Sequence, residues 1–161
     1  MSRLRRFHVL LFVIAIVGCT VPFEPAHERA PSRELLRLEQ EVHRLVNRYR
    51  VSQNLAPLAT HEIITEQARM HSQAMAQKKI SLGHRGFAKR VERISRFLPL
   101  RAVAENVGYN KGYPDSAQRA VEVWLDSIEH RRNIDGDFQL TGVGVVRDIR
   151  GAYYFTQIFW E

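Results

Sequence analysis

The chain has 161 residues, 24 of them Lys or Arg against 17 Asp or Glu, and 45% of it is hydrophobic. That balance fits one globular domain with extensions and argues against a disordered or low-complexity chain. The formal charge of +7 is not a nucleic-acid footprint: Arg3, Arg5 and Arg6 open the chain, the remainder sets 21 cations against 17 acids for a net of +4, and no basic run follows.

The three arginines precede Val9–Val17, an unbroken apolar run. A basic start followed by roughly 7–15 apolar residues is the pattern of a secretory signal, and such a run is too short to span a bilayer. Residues 1–18 read as a signal peptide. The run ends in Ile16-Val17-Gly18-Cys19. This is similar to the lipobox of bacterial lipoproteins, in which the cysteine is diacylated through its thiol and becomes the new N-terminus. Cys19 is the only cysteine, so no intramolecular disulfide forms. Acyl chains contribute about 0.8 kcal/mol per buried methylene, and several together anchor a soluble domain. The expectation is an exported cell-envelope lipoprotein, held at a membrane through Cys19 and facing the periplasm or the exterior.

Residues 19–34, with three prolines and little periodicity, read as a tether. Residues 35–161 read as the folded domain. Ser32 is a candidate N-cap, and Leu35, Leu38, Val42, Leu45, Val46 and Tyr49 recur at helical spacing, predicting a helix over 33–52. Thr60 is placed to cap a second helix whose stripe is Ile63, Ile64, Gln67, Met70, His71, Ala74 and Met75, ending near Lys79. After the turn SLGHRG, a short third helix is expected on Phe87, Val91, Ile94 and Leu98, stopping before Pro99. Val103–Asn110 suits an extended segment. Asp115 or Ser116 opens a fourth helix to about Glu129, and RRNIDGDFQ is expected to be irregular. TGVGVVRD and AYYFTQIFW predict a hairpin across DIRG, its imperfect alternation suiting strands buried on both faces. Helices early and strands late make an α+β layered domain.

The order ARMHSQAMA, LGHRGFAKRV, AENVGYN, VEVWLDSIEHRRNI, TGVGVV and YYFTQIFW, from about Leu36 to Glu161, resembles the bacterial branch of the CAP superfamily. These are the SCP domains of cysteine-rich secretory, antigen 5 and pathogenesis-related 1 proteins. The resemblance implies a three-layer α-β-α sandwich with a central, mostly antiparallel sheet. It also implies a cleft of two histidines and two acids that can hold a divalent metal such as zinc. His84 in LGHRGF and Glu105 in AEN match that pattern. The second acid is replaced by Ser127 and the second histidine by Tyr154. In the bacterial pattern Trp124, Ser127, His130, Arg131 and Asn133 fall in register instead. The implied cleft is then His84, Glu105 and His130, with Gln157, Tyr154, Asn106 and Ser127 beside it.

Glu105 raises a physical question, because a carboxylate facing a core costs several kcal/mol unless something pairs with it. Imidazoles from His84 and His130 would stabilise its charge. The same three groups also suit zinc with an open fourth position. Sequence spacing does not separate the two readings, since no local metal spacing such as HxxxH occurs. Ser127 and Ser81 each precede a histidine by three residues, but neither lies in a nucleophile elbow, and capping or solvation is the expected role. His71 is expected to be a packed, hydrogen-bonded residue, and His43 and His61 surface residues. Trp124, Phe155, Phe159 and Trp160 are expected in the core, and Asn106 to hold backbone groups. The leading expectation is a binding module for a lipid, an envelope component or a protein, with no role in nucleic-acid binding. The alternative is a metal-dependent hydrolase, with Glu105 as base acting with His84 and His130.

Overall fold

The computed structural model describes residues 31–161. Cys19, the signal segment and most of the tether lie outside the described residues.

Helix α1 (Arg33–Ser52) starts where expected, with the Ser32 hydroxyl accepting a hydrogen bond from Leu35 N at 3.3 Å. Thr60 does not cap the next helix. Ala59 and Thr60 instead form strand β1, drawn into parallel pairing with Leu140 and Thr141. Helix α2 (Glu62–Ala76) therefore begins after His61 and stops three residues before Lys79, where Lys78 takes a positive φ of 57°. Helix α3 (Phe87–Ser95) follows from Gly86, and strand β2 is Val103–Asn110.

Asp115 caps helix α4 (Ser116–Asp126), accepting from Gln118 N at 2.9 Å. The expected continuation to Glu129 fails at Ser127, whose backbone is extended and whose hydroxyl caps a fifth helix, α5 (Ile128–Asp135). The stretch expected to be irregular is thus mostly helical. Buried Arg50 explains its order: its guanidinium donates to the carbonyls of Ile134, Gly136 and Phe138. A cation is well placed against the open carbonyls at a helix C-terminus. The hairpin is strand β3 (Leu140–Arg147) and strand β4 (Tyr153–Trp160).

The sheet order is β1-β3-β4-β2, with β3, β4 and β2 antiparallel. Odd-numbered residues of β3 and β4, including Val143, Val145, Phe155 and Phe159, pack with α1, α4 and α5 around Trp124. Even-numbered Ile158 and Trp160 pack with α2 and α3 around Ile64, Ala68 and Ile94. The result is the α-β-α sandwich, and the imperfect alternation of the hairpin follows from burial on both sides. Gly142 and Gly144 explain the rest of the pattern. A Cβ on either would fall on the backbone of α2, at Ile64–Thr65 and Ala68–Arg69 respectively, well inside van der Waals contact. The TGVGVV stretch lets α2 lie directly on β3.

Side chains occupy both margins of the sheet. Beyond the two-residue β1, Val145 N donates to the Glu39 carboxylate, which Arg69 holds from α2. At the other margin the carbonyls of Glu105 and Val107 accept from Asn133 Nδ2 and from the Trp124 indole, at 3.3 and 3.0 Å.

Candidate functional site

Glu105 projects from β2 toward α2 and α3, and its side chain is 1% exposed. Arg90 of α3 meets it as a fork: Nε donates to Oε2 at 2.8 Å and Nη2 to Oε1 at 2.7 Å. Two parallel charge-assisted bonds are the strongest common way to satisfy a carboxylate. His84, on the loop between α2 and α3, adds Nδ1 at 3.0 Å from Oε1. Its side chain is 53% exposed, so it is the part of the cluster that solvent reaches. His71 of α2 is buried, with Nε2 2.8 Å from the Gly83 carbonyl and 4.0 Å from Glu105 Oε1. It is packed and hydrogen-bonded, as expected, and it fastens the loop that carries His84.

The sequence reading missed Arg90, although a signal was present. Position 90 lies three residues after Phe87 and four before Ile94, on the buried stripe of α3. A cation on an apolar stripe needs a buried acid, and Glu105 is that acid.

His130 is not hydrogen-bonded to Glu105, although its imidazole lies close enough to feel the His84 charge. The residue sits on α5, and its carbonyl accepts from Asn106 Nδ2 at 3.0 Å. Its Nδ1 is buried without a hydrogen-bond partner. Burial holds this imidazole below its usual pKa, and the nearby His84 charge lowers it further. His71 is also held low, first by burial and then by the Arg90 charge, against the opposing pull of Glu105.

Gln157 belongs elsewhere. It pairs with Asn106 across β4 and β2, on the sheet face opposite Glu105, is 0% exposed, and donates to Thr141 Oγ1 at 3.1 Å. The two-residue periodicity of strands separates it from the carboxylate. Asn106 is buried and accepts from Asn133 at 2.9 Å. Ser127 is the cap of α5. His43 and His61 are half-buried, not on the open surface: His43 Nε2 lies 2.9 Å from the Leu58 carbonyl.

Tyr154 shares the Glu105 face and packs edge-on against Tyr109, ring centroids 5.1 Å apart. The two tyrosines wall an open groove of about 470 Å³. Its other side is the loop bearing Lys78, Lys79, Leu82 and Arg85, next to His84, and no acid lines it. The nearby Asp148 carboxylate is occupied by the hairpin turn, accepting from Arg150 N and Ala152 N.

The three residues that the resemblance offers to a metal do not form a ligand set. Among the described residues no group of three His, Cys, Asp or Glu side chains is arranged to hold an ion. The donor chemistry explains why. Both Glu105 oxygens face the guanidinium, and the His84 nitrogen that faces them is an N–H donor. A metal needs lone pairs there.

The profile of the cysteine-rich secretory protein family matches residues 43–159. No curated protein sequence matches. An extracellular protein of Bacillus anthracis containing an SCP domain superposes with a TM-score of 0.66 at 22% identity, over 83% of this chain and 45% of that one. An outer surface protein of Borrelia burgdorferi gives 0.66 at 15%, over 83% and 97%. A cysteine-rich secretory protein of Staphylococcus aureus gives 0.65 at 19%, over 83% and 42%. This chain spans less than half of the Bacillus and Staphylococcus proteins, and at these identities the likeness is one of fold. With the family profile covering most of the domain, the chain belongs to the cysteine-rich secretory protein family, the CAP family.

Proposed function

We propose that the protein is an exported, membrane-tethered CAP domain that binds an anionic component of the cell envelope and performs no chemistry on it. The observation that carries this reading is the groove beside His84, where Lys78, Lys79 and Arg85 face Tyr109 and Tyr154 with no acid in the lining. Three cations on one wall attract a phosphate or carboxylate, and the aromatic wall gives a glycerol or sugar unit a surface to lie on. Binding is favoured over hydrolysis because both Glu105 oxygens are already clasped by Arg90. The Glu105 side chain is also 1% exposed, so it presents almost no surface to a water nucleophile. The tether rests on Cys19 and the apolar run before it, and among the described residues no helix is long and apolar enough to cross a membrane.

Co-sedimentation with lipid vesicles tests the groove, using the chain from residue 20 onward so that neither the apolar run nor an acyl anchor contributes. Phosphatidylglycerol vesicles should bind and phosphatidylcholine vesicles should not. Each basic side chain near an anionic surface contributes about 1 kcal/mol, so Lys79→Glu with Arg85→Glu should weaken binding by at least about tenfold. Free glycerol 3-phosphate should compete if the headgroup is what the groove holds. Equal binding by the charge-reversed variant sinks the groove reading. The tether is tested separately by fractionating cells after a high-salt wash: the intact chain should stay with membranes and Cys19→Ala should leave them.

A further inference from the structure

Every group directed at the Glu105 carboxylate is a proton donor. Arg90 supplies Nε–H and Nη2–H, and His84 supplies Nδ1–H. His71 Nε2, which also approaches Oε1, donates to the Gly83 carbonyl. The cluster is therefore built around a fixed cation. A guanidinium stays protonated at any pH at which the protein folds, and its planar fork matches a carboxylate. One buried carboxylate against one buried guanidinium is neutral, and a divalent ion added to that pair would bring uncompensated charge beside side chains only 1% and 7% exposed.

We propose that Arg90 is the resident cation of this cleft and takes the place that the family resemblance gives to a divalent metal. Its consequence reaches His84. With Arg90 and Glu105 locked together, Oε1 holds His84 by Nδ1–H, so the neutral ring keeps its lone pair on Nε2. Arg90 is thus a positioning residue: it fixes the tautomer of the one exposed member of the cluster without touching a ligand itself. This inference stands on the cluster alone and survives if the basic groove proves not to bind anions.

The test uses the full chain, zinc chloride, and melting temperature with and without chelator. Wild type should melt alike with zinc or with chelator. Arg90→Gln removes the charge at similar length and should lower the melting temperature by more than about 5 °C. Zinc should restore part of that loss, because the Glu105 carboxylate and the His84 imidazole are then free to ligate, and His84→Ala should remove the rescue. The double variant Arg90→Gln/Glu105→Gln, a neutral pair, should melt well above the single variant and ignore zinc. Where Arg90→Gln fails to fold, the double variant decides: a folded protein melting near wild type supports a charge role, and an unfolded one overturns it. A zinc-dependent rise in wild type that His84→Ala abolishes overturns the proposal, as does a zinc-insensitive Arg90→Gln.

Discussion

The two faces of the sheet are held by different physics. Against α1, α4 and α5 the protein packs volume: Trp124, Phe155 and Phe159 are fully buried and interlock with Val143 and Val145. Against α2 and α3 the apolar cluster is small, and close contact replaces volume. Glycines at 142 and 144 bring the α2 backbone onto β3, Ser72 donates to the Gly144 carbonyl at 2.9 Å, and the charged trio of Glu105, Arg90 and His84 closes the far end. The difference shows why the candidate site lies where it does. A thick apolar layer has no room for polar groups, whereas the thin face tolerates them because they satisfy one another.

Three measurements can break or sharpen this contrast. Trp124→Ala should be the most damaging, because it empties a large buried volume and leaves the Val107 carbonyl without its indole donor. Such truncations cost about 3–5 kcal/mol, read by urea denaturation. Gly144→Ala adds a single methyl on the thin face and should cost about 1–3 kcal/mol through overpacking, since the atoms it meets are backbone. A cost near zero would mean that α2 does not lie on β3 as described.

The smallest effect is pH dependence, read as melting temperature. Burial holds His71 and His130 below their usual pKa. As pH falls through about 6.5, the value for a free imidazole, the unfolded chain takes up protons that the folded chain refuses. Stability therefore falls on acidification from there downward and is flat above it. His71→Gln, whose amide can keep a bond to Gly83, should remove part of that slope, a shift of a few degrees at most. An unchanged slope would show that His71 is not a group resisting protonation on the thin face.

Much of this architecture was legible in the residues, and the misses have physical causes. The helical stripes of α1, α2 and α3 read directly from periodicity, and TGVGVV with YYFTQIFW read as a hairpin buried on both sides. Thr60 was misread because a two-residue strand has no pattern of its own and forms only when Leu140–Thr141 lies beside it. Helix α5 was misread because its order comes from Arg50, more than 80 residues away in sequence. In the candidate site, His84 and Glu105 were found together by motif, and their contact is there. Gln157 was placed beside them by the family motif, while strand parity puts it on the other face. The backbone of His130 is held on α5 by Asn106, and its buried Nδ1 makes no hydrogen bond to Glu105. Arg90 needed a different question: what balances a buried acid that the fold cannot expose.

The side chains at the two margins of the sheet have a consequence for crowding. Outermost strands normally invite a neighbouring molecule to add its own strand and so begin aggregation. Here a newcomer would have to displace the indole of Trp124 from the Val107 carbonyl on one side. On the other it would have to displace the Glu39 carboxylate from the Val145 amide. Both outermost strands are thereby closed to the strand addition that seeds fibres.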